Sequence, residues 1–365
     1  MDRDELLLGY TKYRSDLVRR DCVRSRRAHV IRADGSGRGE LAPQLAAEPN
    51  CSTEVVGWSP DGGQAIIHAN WQSDENAAYE EEHRRLRLDE GFRVDCCLVD
   101  MASGEVRNLT AVERVSNYNA ALRFQADGAR LQFVAVMAPG DERLYTMALD
   151  GTDKRASSLD ACGLSISGDG TRVAHSQGYQ IHLADADGGN AMQVQTGLPY
   201  NHQPLWSPDG QWVLFVAGEM NNSHPHVVRR DGTGLRQVGD LNGHEGWASD
   251  YDTPDYRRSS GDYPCWSHDS RWIYYAARAG EAVELLRTSL GGETEQLTHS
   301  PAGTTTHSPT SSPDGKWLAF GSDATGARQL YVARPDGGDS RQLTHLAPGH
   351  AAKFFYWQNL PAAAT

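Results

Sequence analysis

The string WSPDG occurs at Trp58–Gly62 and again at Trp206–Gly210, and SSPDG occupies Ser311–Gly315. Weaker copies read FQADG (Phe124–Gly128), ISGDG (Ile166–Gly170) and WSHDS (Trp266–Ser270). Pro presets φ, Asp caps locally and Gly tolerates the exit, so each string predicts a tight type I turn. A short apolar run follows each turn, such as WVLFVAG, WIYYAAR or WLAFGSD. A second turn motif comes next, as in YVARPDGGDSRQLT, HVVRRDGTGLRQV or LADADGGNAMQV. The repeating unit is therefore strand, SPDG turn, strand, connection, strand, DG turn, strand. Four antiparallel strands in roughly 40–50 residues predict a propeller blade.

Six such units lie between Glu54 and Thr344, with half a unit left at each end. The C-terminal HAAKFFYW reads as a first strand. The N-terminal LLLGYTKYRSD, AHVIRADGSG and GELA match second, third and fourth strands. Joined, the ends complete a seventh blade and remove the free sheet edge. The expectation is an all-β, seven-bladed propeller spanning 1–365 as one domain, with insertions at 70–91 and 241–261.

With 35 Lys+Arg against 48 Asp+Glu the net charge is −13, which argues against nucleic-acid binding, since phosphate recognition needs a basic footprint. No apolar run approaches the ~20 residues of a membrane span. The charged N-terminus, MDRDELLLGYTKYRSDL, lacks the apolar stretch of a signal peptide, so the expected location is cytoplasmic unless the chain is already processed. Six cysteines are scattered without a CxxC pair and read as buried small hydrophobes. A closed ring needs no partner for stability, which makes a monomer the default.

In a four-stranded meander all SPDG and DG turns fall on one face, and both insertions fall on the other. Long loops gathered at one end of a rigid scaffold are where binding residues sit. Six residues before the turn Pro position, successive blades give Glu54, Ala120, Cys162, His202, Asp262 and His307, and the closing blade offers His350 at a similar place. His202, Asp262, His307 and His350 thus form a candidate divalent-metal set at one level of the channel mouth. A repeat-structural role for each histidine stands beside that reading. Nearby loops add His224 and His226 (NNSHPHVV) and His244 (GHEGW).

The segment EEEHRRLR in the first insertion reads foremost as a solvated helix face. The second insertion carries Trp247, Tyr251, Tyr256, Arg257 and Arg258. Aromatic faces stack on sugar rings and Arg pairs bidentately with carboxylates, so these residues, with His226, are candidate substrate contacts. The chain shows no GxSxG elbow, Walker loop or dinucleotide fingerprint. The DG turns recur once per blade and are not calcium loops.

At His202-Gln-Pro204-Leu-Trp206-Ser-Pro-Asp-Gly the chain resembles the TolB-like propellers with PD40-type repeats. Within that group it is similar to the oligogalacturonate lyases. The resemblance implies a Mn-type ion held by histidines and a β-elimination on a uronic-acid oligosaccharide. By the same resemblance His307, His202 and His350 are metal ligands, with His244 the base and Arg257 or Arg258 on the carboxylate. The chain reads Thr306-His307-Ser308-Pro309 where that family has HPHP, so Asp262 is left to stand in as an oxygen ligand. Propeller lyases acting on ulvan imply another set, His224, Tyr251 and Arg257. The rival reading is a non-catalytic TolB-like scaffold that binds peptides or proteins.

Overall fold

The computed structural model describes residues 6–83, 87, 90–125, 128–138, 141–157, 162–219, 222–244 and 263–360. The chain divides into two compact units, Met1–Asp160 with Leu346–Thr365, and Ala161–His345. Among the described residues both are built almost wholly of antiparallel meanders, and no helix is long and apolar enough to cross a membrane.

The first unit begins with β1 (Leu7–Arg14), α1 (Arg19–Arg24), β2 (Arg27–Arg32) and β3 (Gly39–Glu40). The last strand of the chain, β28 (His350–Trp357), pairs antiparallel with β1, giving a sheet ordered β28-β1-β2-β3. Next come β4 (Cys51–Trp58), β5 (Gln64–Gln72), α2 (Asp74–His83), β6 (Phe92–Asp100) and β7 (Val106–Asn108). A further meander holds β8 (Tyr118–Phe124), β9 (Leu131–Ala138), β10 (Asp141–Met147) and β11 (Arg155–Ala156). One parallel pairing, Val94 with Tyr118, links these two meanders into a single eight-stranded sheet.

The second unit contains four four-stranded sheets. They are β12 (Cys162–Ile166) to β15 (Met192–Gln193) through β13 (Arg172–Gln177) and β14 (Gln180–Asp185), then β16 (Tyr200–Trp206), β17 (Trp212–Glu219), β18 (Asn222–Arg229) and β19 (Arg236–Gln237). The third is β20 (Cys265–Trp266), β21 (Trp272–Ala279), β22 (Ala282–Ser289) and β23 (Thr294–Gln296). The fourth is β24 (Thr306–Ser311), β25 (Leu318–Ser322), β26 (Gln329–Ala333) and β27 (Arg341–Gln342).

The recurrent Ser-x-Asp-Gly is explained by one hydrogen-bond pattern. Ser207 Oγ donates to Asp209 Oδ1 at 2.5 Å and accepts from Trp212 N at 2.9 Å, clamping the turn to the start of the next strand. Ser167, Ser267 and Ser312 do the same with Asp169, Asp269 and Asp314, each at 2.6 Å. Gly210 takes φ 67°, the left-handed value that favours glycine, and Ser270 holds the equivalent place at φ 60°.

In five of the described meanders the second and third strands share a cross-strand ring pair. Tyr10 stacks with His29, Phe133 with Tyr145, His175 with His182, Phe215 with His226 and Phe320 with Tyr331, with centroids 5.2–5.8 Å apart. All five pairs lie directly opposite in register, where side chains on one sheet face meet. Trp58 Nε1 donates to Tyr356 O at 2.8 Å and Trp266 Nε1 to Leu205 O at 3.1 Å, tying each first strand to that of the preceding meander.

The insertion at 70–91 contains α2, whose Glu81, Glu82 and His83 are exposed. Its other side is anchored. Buried Glu80 accepts from Gln72 Nε2 at 3.0 Å and from Arg87 N at 2.9 Å, and Arg24 pairs with Asp74 at 2.8 Å.

Candidate functional site

First strands carry a β-bulge. In β16 the pairing jumps from His202–Val216 to Leu205–Leu214, and in β24 from His307–Gly321 to Thr310–Ala319. The residue after each histidine is left-handed, Gln203 at φ 54° and Ser308 at φ 53°. An extra residue in one strand re-aims the side chain before it. The same shift occurs in β4, β8 and β12, which lack HxP, so the bulge belongs to the first-strand position and not to that motif.

β28 jumps likewise from Lys353–Thr11 to Tyr356–Gly9, with Phe354 at φ 55°. Its counterpart of His202 is thus Lys353, four residues before Trp357 as His202 is four before Trp206. His350 lies three residues upstream, paired with Arg14 at the start of the strand. Histidine spacing alone points to His350 at this level, whereas the register counted back from Trp357 puts Lys353 there.

The histidines proposed as metal ligands are engaged in their own strands. The ring of His307 is only 3 % exposed as a residue, lies flat over Gly321, and puts Nδ1 3.1 Å from Ser308 Oγ. His202 meets Tyr263 edge-on at 6.0 Å, and burial pushes its pKa down to about 4. Asp262 lies outside the described residues. Among the described residues no group of three or more His, Cys, Asp or Glu side chains is placed to hold a metal ion.

His226, expected to touch substrate, belongs to the ring layer on Phe215 and is buried, which lowers its pKa. Trp247, Tyr251, Tyr256, Arg257 and Arg258 lie outside the described residues. His244 is partly exposed in a turn where its N–H donates to Leu241 O at 2.9 Å.

His224 is the candidate whose surroundings suit proton transfer. It stands near the start of β18 opposite Ala217, with 18 % of its side chain exposed. Its Nδ1 is 3.3 Å from Asp240 Oδ1, and Leu241 N also approaches Nδ1 at 3.3 Å. Asp240 is fixed in turn by accepting from Asn242 N at 2.8 Å. The two neighbours of Nδ1 select opposite tautomers. Leu241 N–H donates to Nδ1, which selects the Nε2–H form of the neutral ring, while the Asp240 carboxylate 3.3 Å away pairs with the ring when it is protonated. Asp240 carried no signal in the sequence, because nothing in its spacing from His224 marks a pair closed by a loop.

The first unit holds a different cluster. Arg26 Nη1 donates to Glu54 Oε1 at 2.5 Å, with both residues under 10 % exposed. His68 lies directly across from Glu54 on β5, and its buried Nε2 finds no hydrogen-bond partner among the described residues. Burial opposes the charge of Glu54, but Arg26, Lys353 and His68 outweigh it and hold the carboxyl below its ordinary value. Tyr356 is pushed up to about 12 by burial and by Glu54, against the pull of Arg123.

No family model matches the chain. Among curated proteins it is 28 % identical over 174 residues to the Tol-Pal system protein TolB of Bordetella pertussis, a match that covers 47 % of this chain and 36 % of that one. The chain thus matches only about a third of that relative's length. Among solved structures it is similar to oligogalacturonate lyase in complex with manganese, at TM-score 0.56 and 14 % identity, covering 95 % of this chain and 89 % of that one. It is also similar to a puromycin hydrolase at TM-score 0.62 and 15 % identity, covering 94 % and 53 %. The TolB relatives are periplasmic proteins, which corrects the cytoplasmic location expected from the charged N-terminus. The matched TolB segment and the shared sheet architecture give a chain that is similar to TolB-like propellers and resembles oligogalacturonate lyase in fold.

Proposed function

We propose that the chain is a carbohydrate-active propeller of the lyase type, seven blades closed by β28 on β1, acting on uronic-acid oligosaccharides. The observation that carries this is the partly exposed His224 held by Asp240 beside the insertion at 241–261. The fold likeness to oligogalacturonate lyase, which runs nearly end to end in both chains, supports it. In this reading an arginine, Arg257 or Arg258, neutralises the uronate carboxylate and acidifies the adjacent C5 proton. With the ring turned to the tautomer that carries its proton on Nδ1 toward Asp240, His224 Nε2 accepts the C5 proton, the C5–H electron pair becomes the C4–C5 double bond, and the C4–O bond breaks. Tyr251 or water returns a proton to the departing oxygen. No step passes through a metal.

The second reading is a non-catalytic binding scaffold for a peptide or protein. It is favoured by the TolB relatives and by the way His202 and His307 are absorbed into strand bulges. The two readings separate in one assay. Pectic, ulvan-type and glucuronate oligosaccharides are offered with chelator and with divalent ions, and the ultraviolet absorbance of an unsaturated uronate is followed. The lyase reading expects a rise that survives chelation and falls at least about 100-fold in His224→Ala. A flat trace across the whole panel with folded protein leaves the scaffold.

A further inference from the structure

The residue before the closing Trp or its equivalent occupies one register position in every first strand. In the first unit these residues are Tyr356 on β28, Gly57 on β4 and Arg123 on β8, paired respectively with Gly9, Ile66 and Gln132. β28 packs on β4, and β4 on β8. The middle strand therefore has no side chain where its neighbours carry a phenol and a guanidinium. A Cβ built on Gly57 would meet one atom, the Cδ1 of Ile66 at 3.3 Å, so the position is open apart from that contact. Tyr356 is 37 % exposed as a residue although its hydroxyl is desolvated, and Leu205 at the same register position of β16 is 38 % exposed, so this level of the first strands reaches solvent.

One level up, three residues toward the strand start, stand Lys353 on β28 and Glu54 on β4. Lys353 Nζ lies 4.1 Å from the Phe354 ring centroid and 5.2 Å from that of Tyr13. Glu54 is already matched by Arg26 at 2.5 Å. The cluster thus holds Arg26, Arg123 and Lys353 against one carboxylate, a cationic excess in a chain whose net charge is −13. Such a local reversal of sign attracts an anion.

We propose that Arg123, Tyr356 and Lys353 form a carboxylate-binding site across Gly57 on the first strands of the first unit. A guanidinium gives a carboxylate two parallel N–H donors, and the phenol adds an O–H donor. The lysine supplies charge at longer range. A sugar acid and a small organic dicarboxylate present the same group to this site. The proposal stands apart from the elimination chemistry, because His224 belongs to the other unit and is left intact in every variant used here.

The test is calorimetric titration of the full chain with D-galacturonate, succinate and neutral D-galactose. D-galacturonate, succinate or both are expected to saturate one site, and D-galactose none. Arg123→Gln is expected to weaken the carboxylate at least about tenfold, the scale of one lost charge-assisted contact. Gly57→Leu, which fills the gap, is expected to abolish binding while thermal unfolding confirms a folded chain, and Tyr356→Phe is expected to weaken it by a smaller factor. Succinate binding as tightly as D-galacturonate supports the site and identifies the carboxylate alone as the recognised group; preference for D-galacturonate supports it with the sugar as source. Wild-type protein that binds neither acid overturns the proposal. So does a carboxylate that binds folded Arg123→Gln and Gly57→Leu as tightly as wild type.

Discussion

The imidazole of His307 occupies the space where a side chain at Gly321 would begin: a Cβ there would fall 2.3 Å from the ring Cε1 and 2.4 Å from Nε2. The two residues face each other across β24 and β25, so the glycine exists for the histidine. Gly321→Ala is expected to destabilise the chain by about 1–3 kcal/mol through overpacking. In a His307→Ala background the same change should cost little. Denaturant unfolding of the four-member cycle measures the coupling, and additive effects would refute the packing account.

Burial holds the pKa of His202 and of His29 near 4, from an ordinary value of 6.5. Both are depressed in the folded state, so the unfolded chain binds more protons between about pH 6.5 and 4. Stability is therefore full above 6.5 and falls as the pH drops through that window, by at most about 3 kcal/mol per site. Melting temperatures from pH 7.5 to 4 for wild type and His202→Asn check this. The variant should lose less on acidification.

Removing one member of the buried Arg26–Glu54 pair strands a charge. Arg26→Met and Glu54→Gln should each cost about 3 kcal/mol, and Arg26→Met with Glu54→Leu should recover most of that. Equal losses in the single and double variants, read by urea unfolding, would show that packing rather than charge sets the cost.

Trp58 and Trp206 fill the same place in two of the repeats, yet only one of these two indoles is satisfied among the described residues. Trp58 Nε1 bonds Tyr356 O, while the buried Trp206 Nε1 has no hydrogen-bond partner. Replacement by Phe loses similar volume at both. The Trp58 variant should therefore be the less stable of the two by about 1 kcal/mol, the worth of one hydrogen bond. Matched melting curves decide it.

The turns were legible because Ser, Asp and Gly act locally: the clamp of Ser207, Asp209 and Trp212 closes within six residues. The pairing of β28 with β1 was legible too, since each end carried part of the same repeat. The bulges were not. Left-handed backbone at Gln203, Ser308 and Phe354 uses residues that give no glycine signal, and missing it placed His350 where Lys353 stands. The role of His226 was hidden for a related reason, because facing Phe215 is a matter of register between strands. Asp240 and Arg26 reach their partners through loops whose course no periodicity records.

The sheet that joins β28 to β1 has a consequence for synthesis. Leu8 and Trp357 are register partners, so β1 is synthesised long before β28, which pairs with it. Until then β1 presents an unpaired edge to every other nascent segment. Closing so long a loop is slow relative to the local hairpins, which form first and independently. Assembly therefore has a vulnerable interval that ends only when β28 docks, and a chain stopped short of Lys353 would remain in that interval, open to edge-to-edge aggregation.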